Sequence, residues 1–392
     1  MSTNRTDILL AEVRSCLEQN ILPYWLTLAD PKGGFQGEVL SDGTVLPDAP
    51  RGAILNARIL WAFSAAYQTL HKSEYLVAAM HAKEWFITHF CDHKHGGVYW
   101  SVAPDGKRLD DKAQLYAQGF AIYGLSEFYK VTHDDQALKA AVNIFRIVEK
   151  YFHDDENGGY IEALSRDFSP LADMSLSAHD INADKTMNSH LHLLEAYANL
   201  YKVWPVPELR ERIVELLEII GTNVMGPDGH LRLYFRRDWS VIPGAVSYGH
   251  DIETSWLMLE CAQAIGDIDV VTRVRPWARE LGIAGNEGVL PDGSMRYEKH
   301  LDGTFDDERQ WWVEAEAVVG NFWLWKYHGD DAAADRAFAL WAWIRDQLLR
   351  PDGEWYWAIL PSGQPDLSHP KAGFWKCPYH NTRMCLEILK LL

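Results

Sequence analysis

His250, His380, Arg58 and Glu253 are the residues of this 392-residue chain whose types could carry out a proton transfer. Imidazole titrates near neutrality without help, so a histidine can take a proton from carbon and return one at ordinary pH. A guanidinium stays charged and can hold an oxyanion without giving up a proton. With aromatic side chains to grip a sugar, the set suits abstraction of a hydrogen next to a carbonyl, through an enediolate. Inverting a carbon-bound hydrogen is simplest with one base on each face, and His250 and His380 are expected on different helices facing each other across a ring. Glu253 follows His250 by three residues and shares its helical face. It could orient and charge-stabilise the imidazole, or join it as a metal ligand. His190 and His192 are two apart on a helix and do not share a face, which disfavours joint ligation. No HExxH pattern is present, and the expectation is an enzyme without metal or cofactor. A glycoside hydrolase would instead need two carboxylates flanking the scissile bond. Asp180, Glu253, Glu314 and Glu316 are candidates, but no pair stands out. A sugar-binding protein without catalysis is the remaining rival class.

The elements that must hold these residues form an internal repeat. A turn followed by aromatic or apolar residues recurs six times, anchored at Gly34, Gly97, Gly159, Gly229, Gly293 and Gly353, with spacings of 63, 62, 70, 64 and 60 residues. Each has the Asp-Gly or Gly-Gly chemistry of a hairpin. Between the anchors, apolar side chains recur at i, i+3, i+4 and i+7, predicting helices in pairs. They lie near 51–70 and 73–90, 112–131 and 134–152, 188–203 and 207–224, 250–265 and 268–281, and 310–327 and 330–349. One helix, 5–21, opens the chain and another, 379–391, closes it. Six helical pairs can stack as a solenoid or close into a ring. Closure fits better, because neither terminal helix is polar all round as a cap would be. The expected fold is all-α, an (α/α)6 barrel with short β-hairpin turns, in a single catalytic domain over residues 1–392. The helix after each hairpin is then the inner one. Its early turns carry Arg58, Tyr116, Asn188, His190, His192, His250, Glu253, Trp311, Trp312, Glu314, Glu316, Trp375 and His380. Tyr116, Asn188, His190, His192, Trp312 and Trp375 are read as substrate-binding. His71, His81, His89, His93 and His95 are read as surface or turn residues.

Composition narrows the partners. Lys plus Arg total 37 against 55 Asp plus Glu, a formal net charge of −18, which repels phosphate backbones and anionic lipid. No apolar run approaches the ~20 residues that cross a bilayer. The first 25 residues are interrupted by charges and read as an amphipathic helix, without a signal-peptide core. Five cysteines without a CxxC pair argue against a disulfide framework, and a cytoplasmic location is expected. Seventeen tryptophans suit half-apolar ligands such as sugar rings. The expected partner is a small sugar, neither nucleic acid nor membrane, with the chain a monomer or weak dimer.

The strings Asn56–Ser64, Lys185–Tyr197, Gly249–Glu253, Trp311–Glu316 and Trp375–Arg383 resemble the N-acylglucosamine 2-epimerase superfamily over nearly the whole chain. The resemblance implies an (α/α)6 barrel acting without cofactor. In its disaccharide branch it implies interconversion of glucose and mannose at the reducing end of β-1,4-linked disaccharides. It implies His250 and His380 as the acid/base pair, Arg58 as the residue stabilising the intermediate and Glu253 as the carboxylate supporting His250. Tyr116, Asn188 and His192 would line the cavity, with Trp312 and Trp375 as stacking platforms. Sister activities on the same residues are aldose–ketose isomerisation and 2-epimerisation of N-acylglucosamine. Glu314 departs from the pattern, standing where Gln is expected.

Overall fold

The computed structural model describes residues 3–177 and 180–392. Helix α1 (Thr3–Ser15) runs through a wide turn, Cys16–Ile21, into α2 (Leu22–Thr27). Five helical pairs follow: α3 (Ala53–Leu70) with α4 (Ser73–His89), α5 (Leu115–Thr132) with α6 (Asp135–Tyr151), and α7 (Met187–Tyr201) with α8 (Pro207–Ile219). Then come α9 (Tyr248–Ile265) with α10 (Ile268–Gly285) and α11 (Trp311–His328) with α12 (Asp331–Trp343), and α13 (Tyr379–Leu391) ends the chain.

The ring closes. Helix α3 packs on α5, α5 on α7, α7 on α9, α9 on α11, α11 on α13, and α13 back on α3. These six are the inner helices, with the others outside them; α1 packs against α13 and completes the sixth pair. The fold is an (α/α)6 barrel. Burial explains the two layers. Inner helices are apolar nearly all round, as α3 shows with fourteen consecutive buried residues, Ala53–Ala66. The outer helix α6 instead buries only Ala137, Ala141, Ile144, Phe145 and Val148, one stripe at helical spacing.

The six turns follow the sequence repeat. Gly34, Gly97, Gly159, Gly229, Gly293 and Gly353 all have left-handed φ, between +67° and +88°, which glycine alone adopts at no steric cost. Around each, one antiparallel bridge closes the turn, from Ala29↔Phe35 in the first to Leu349↔Trp355 in the last. Five inner helices are entered from a two-residue strand that pairs with the next repeat, for example Arg51–Gly52 with Ser101–Val102 and Lys185–Thr186 with Tyr234–Phe235. This lacing runs along one mouth of the barrel, where the inner-helix N-termini gather. Among the non-inner histidines, His71 and His133 take left-handed φ as the C-caps of α3 and α5. The five cysteines are free, and no described helix is long and apolar enough to cross a membrane.

A second register ties four of the inner helices to their turns. The fourth residue of α5, Gln118, accepts the Val98 N–H and donates to the Val98 carbonyl, both at 2.9 Å. The fourth residues of α7, α9 and α11 do the same work: His190 accepts Tyr160 N–H, Asp251 accepts Leu231 N–H and Glu314 accepts Met295 N–H. This accounts for the departure at Glu314. Its Oε1 holds the turn, while Oε2 is buried without a hydrogen-bond partner, and burial pushes the carboxyl far above its usual range. Glu314 is a turn strut, away from the sugar chemistry. Glu314→Gln is therefore expected to stabilise the fold at neutral pH, by about 1–3 kcal/mol if the amide finds the carbonyl as Gln118 does. A carboxyl whose folded pKa is raised costs nothing below its unfolded value near 4.5, and costs more as pH climbs from there. The gain should thus shrink toward pH 4.5 in denaturation experiments, and a gain independent of pH would show that Glu314 is not the protonated strut.

Candidate active site

The inner-helix N-termini bring Arg58, Tyr116, His192, His250, Trp312 and His380 to the laced mouth, while Trp375 comes from the irregular segment that precedes α13 and not from an early helical turn. Trp312 packs against both histidines, its ring centroid 4.7 Å from that of His250 and 5.7 Å from that of His380. His250 on α9 and His380 on α13 are therefore separated by one inner helix, α11, rather than set diametrically across the ring.

His380 donates from Nδ1 to Glu316 at 2.7 Å, which leaves Nε2 with a free lone pair. His250 engages Ser247 Oγ through Nδ1 at 2.8 Å. Burial drives both imidazoles toward the neutral form: His250 is lowered from 6.5 to about 3, helped by the nearby His192. His380 is also lowered well below its usual value, helped by Arg58 and Arg383. Each is a neutral base whose conjugate acid would lose its proton readily.

Glu253 does not support His250. It points to the barrel axis, where its Oε1 accepts from Arg383 at 2.6 Å and lies 3.9 Å from His380 Nδ1 and 4.0 Å from His192 Nε2. Sharing a helical face placed the two residues on one side of α9 without placing them in contact. The carboxylate that holds a catalytic-type histidine is Glu316, bound by three donors: His380, Arg383 at 2.6 Å and Trp256 Nε1 at 3.0 Å. Glu253 has one donor and a buried, unpartnered Oε2. Burial and the charge of Glu316 raise Glu253 above the usual carboxylate range. Burial raises Glu316 as well, but Arg383 and Trp256 oppose the shift there, so Glu253 is the better placed of the two to hold a proton.

Arg383, the last residue of the Trp375–Arg383 string, is the hub of this network. It binds Glu195, Glu253 and Glu316, and donates to Tyr379 as well. Glu195 in turn accepts His192 Nδ1 at 3.0 Å and the Tyr379 hydroxyl. The spacings His192–Glu195 and His380–Arg383, both i,i+3, were the available signal. Glu253, Glu316 and His380 put possible ligand atoms within 4.8 Å of one another, the one described trio that could hold a metal. The Arg383 guanidinium already supplies the positive charge there, and both carboxylates bond to the same Nη2. Activity is accordingly expected to survive exhaustive EDTA dialysis, and loss restored by one divalent ion would reassign the trio.

Arg58 is the opposite case. It is 2% exposed, donates to the Tyr116 hydroxyl at 2.8 Å and lies over Phe120 and Tyr379, with Nη1 3.6 Å from Cys377 Sγ. Its Nε has no partner, and no carboxylate among the described residues is within ion-pair distance of it. An unpaired buried cation costs several kcal/mol, which makes this position a candidate for binding an anion.

The remaining predicted residues divide. Asn188 is half-buried with an unpartnered Oδ1, and it lines a cleft of about 80 Å³ with His250, Asp180, Tyr234, Tyr297 and Glu298. Burial raises Glu298 to about 7. Trp375 is half-buried beside Tyr116 and Trp100, with ring centroids 6.0 Å from each. Trp375→Ala is expected to weaken turnover by about 1–3 kcal/mol, the scale of stacking on an aromatic face, with little effect on melting; a large melting loss with normal activity per folded molecule would make it structural. His190 does not reach the site. Both ring nitrogens are used on backbone, Nε2 at 3.0 Å from Tyr160 N and Nδ1 at 2.7 Å from Thr186 O, and the residue is fully buried. Its substrate-binding assignment gives way to the turn-strut role it shares with Gln118, Asp251 and Glu314.

An (α/α)6 barrel with neutral histidines, a waiting arginine and indole walls at one mouth defines a carbohydrate-processing class of isomerase-type sites. The chain belongs to the N-acylglucosamine 2-epimerase (GlcNAc 2-epimerase) family, which it matches over residues 33–383. It is 45% identical over 388 residues to the cellobiose 2-epimerase of Bacteroides fragilis, covering 98% of this chain and 99% of that one. It is 34% identical to the cellobiose 2-epimerase of Dictyoglomus turgidum, covering 98% of each. The crystal structure of cellobiose 2-epimerase from Bacillus thermoamylovorans superposes with a TM-score of 0.94 at 37% identity, over 98% of this chain and 100% of the other.

Proposed function

We propose that this protein is a cofactor-independent sugar 2-epimerase acting on the reducing-end glucose of β-1,4-linked disaccharides such as cellobiose, within a single catalytic domain. Arg58 carries the reading: a buried guanidinium without a carboxylate partner, beside two neutral histidines, is arranged for an oxyanion that appears during the reaction. After the sugar ring opens, one imidazole removes the C2 hydrogen as a proton, and the electron pair moves toward the C1 oxygen. Arg58, fixed by Tyr116, holds the resulting enediolate. The other imidazole, having taken up a proton from solvent as the ring opened, delivers it to the opposite face of C2; the proton gained by the first imidazole passes to solvent, and ring closure releases the epimer. Glu316 keeps the His380 Nδ1–H in place and compensates the imidazolium when it forms. Trp312, packed against both bases, supports the reacting sugar, and Trp375 supports the ring beyond it. The full-length similarity to cellobiose 2-epimerases supports the choice of substrate, and the absence of a membrane-spanning helix among the described residues is consistent with a cytoplasmic enzyme.

The test is to incubate the enzyme separately with cellobiose, lactose, mannose and N-acetylglucosamine and resolve the products. Glucosyl-mannose from cellobiose and epilactose from lactose are expected. Fructose from mannose as the main product would mean an aldose–ketose isomerase, and free glucose from cellobiose would mean a hydrolase.

A further inference from the structure

At the end of the barrel opposite the histidines, the C-terminal halves of five inner helices enclose a cavity of about 260 Å³. The proposed epimerase chemistry does not use it. Its floor is Arg383 and Trp256, with Trp61 and Tyr123 beside them. Its walls carry three ion pairs: Lys130–Glu127 at 3.3 Å, Lys202–Glu260 at 3.1 Å and Lys390–Glu387 at 3.3 Å. Two buried polar atoms of the lining have no partner: Arg383 Nε, on a residue 2% exposed, and Glu387 Oε2. The other face of the same guanidinium binds the carboxylates behind His380, so the floor separates two chambers.

We propose that this rear cavity is a second binding site, for a neutral polyhydroxylated molecule of about monosaccharide size. The three lysines are balanced by three glutamates, which leaves no surplus charge for an anion. The converging helix C-termini add partial negative charge and disfavour an anion further. An organic cation would meet three ammonium groups. Each Lys–Glu pair instead presents a donor and an acceptor about 3 Å apart, which neighbouring hydroxyls satisfy together by accepting from the ammonium and donating to the carboxylate. The volume holds roughly nine waters at ~30 Å³ each, enough for a six-carbon polyol and below the usual range for larger ligands. Because Arg383 and Trp256 both bond to Glu316, an occupant would touch the groups that position His380.

Indole N–H spectra of the full-length protein labelled with ¹⁵N-tryptophan test this, titrated separately with D-glucitol, D-glucose and inorganic phosphate. D-Glucitol is neutral and lacks a carbonyl, so it is not turned over. Saturable shifts of the Trp61 and Trp256 signals with glucitol and glucose, and none with phosphate, are expected. In a Lys130→Met/Lys202→Met double variant the apparent affinity at these signals should fall at least tenfold while kcat and KM for the disaccharide stay unchanged. Glu127→Gln alone is the substitute should the double variant not fold. Silence of the rear signals, movement confined to the Trp312 and Trp375 signals, an unaltered response in the variant, or saturation by phosphate would each overturn the proposal.

Discussion

His250→Ala and His380→Ala are each expected to reduce epimerisation by at least about 10²–10⁴-fold, the usual worth of a positioned acid or base, with circular dichroism unchanged. His380 is anchored by Glu316 and His250 by Ser247, so truncation removes a proton carrier while its support remains. In D₂O, solvent deuterium should enter C2 of the epimer nearly completely on its first formation, because the base that takes the original hydrogen is not the one that delivers the new proton. A product that keeps its C2 hydrogen, or a His380→Ala enzyme of near-normal rate, would refute the two-histidine scheme. The pH profile carries a further sign. A base must be neutral to act, so activity is lost as pH falls through its pKa. Burial lowers His250 from 6.5 to about 3, which places the acid limb of kcat/KM well below that of a free imidazole. An acid limb near 6.5 would mean that the base is solvated.

Arg58→Met is expected to separate catalysis from stability. Removing a preorganised oxyanion donor costs about 10²–10³ in kcat, or ~2.7–4 kcal/mol. The same change removes a buried cation without a carboxylate partner and leaves an apolar chain among Phe120, Tyr379 and Tyr116. Replacing buried charge by well-packed apolar volume is commonly neutral or stabilising. The melting temperature should therefore hold or rise while turnover collapses. A strong loss of stability would mean that Arg58 has a compensating anion in the resting protein, and that its role as a waiting oxyanion holder is wrong.

Helix–helix repetition was legible in the residues themselves. Apolar spacing at helical period marked the helices, position after a hairpin marked the inner ones, and six glycines near a constant interval marked the turns, all with φ > 0. The depth of Arg58, Tyr116, His192, His250 and His380 followed from that register, because each stands early in an inner helix. Contacts between helices far apart in sequence did not follow. Spacing put Glu253 on the face of His250, yet its partner is Arg383, 130 residues away, and the carboxylate serving His380 is Glu316, 64 residues away. His190 read as a substrate-binding residue by type and depth, but only the turn packed against it shows that both its nitrogens are bound to backbone. Periodicity fixes which face a residue occupies, to within an inward stripe. Which of several inward groups meet is set by how six helices tilt and close. Burial then decides protonation, because charge in a desolvated ring is held only where that closure brings a partner, and Arg58 is the charge left without one.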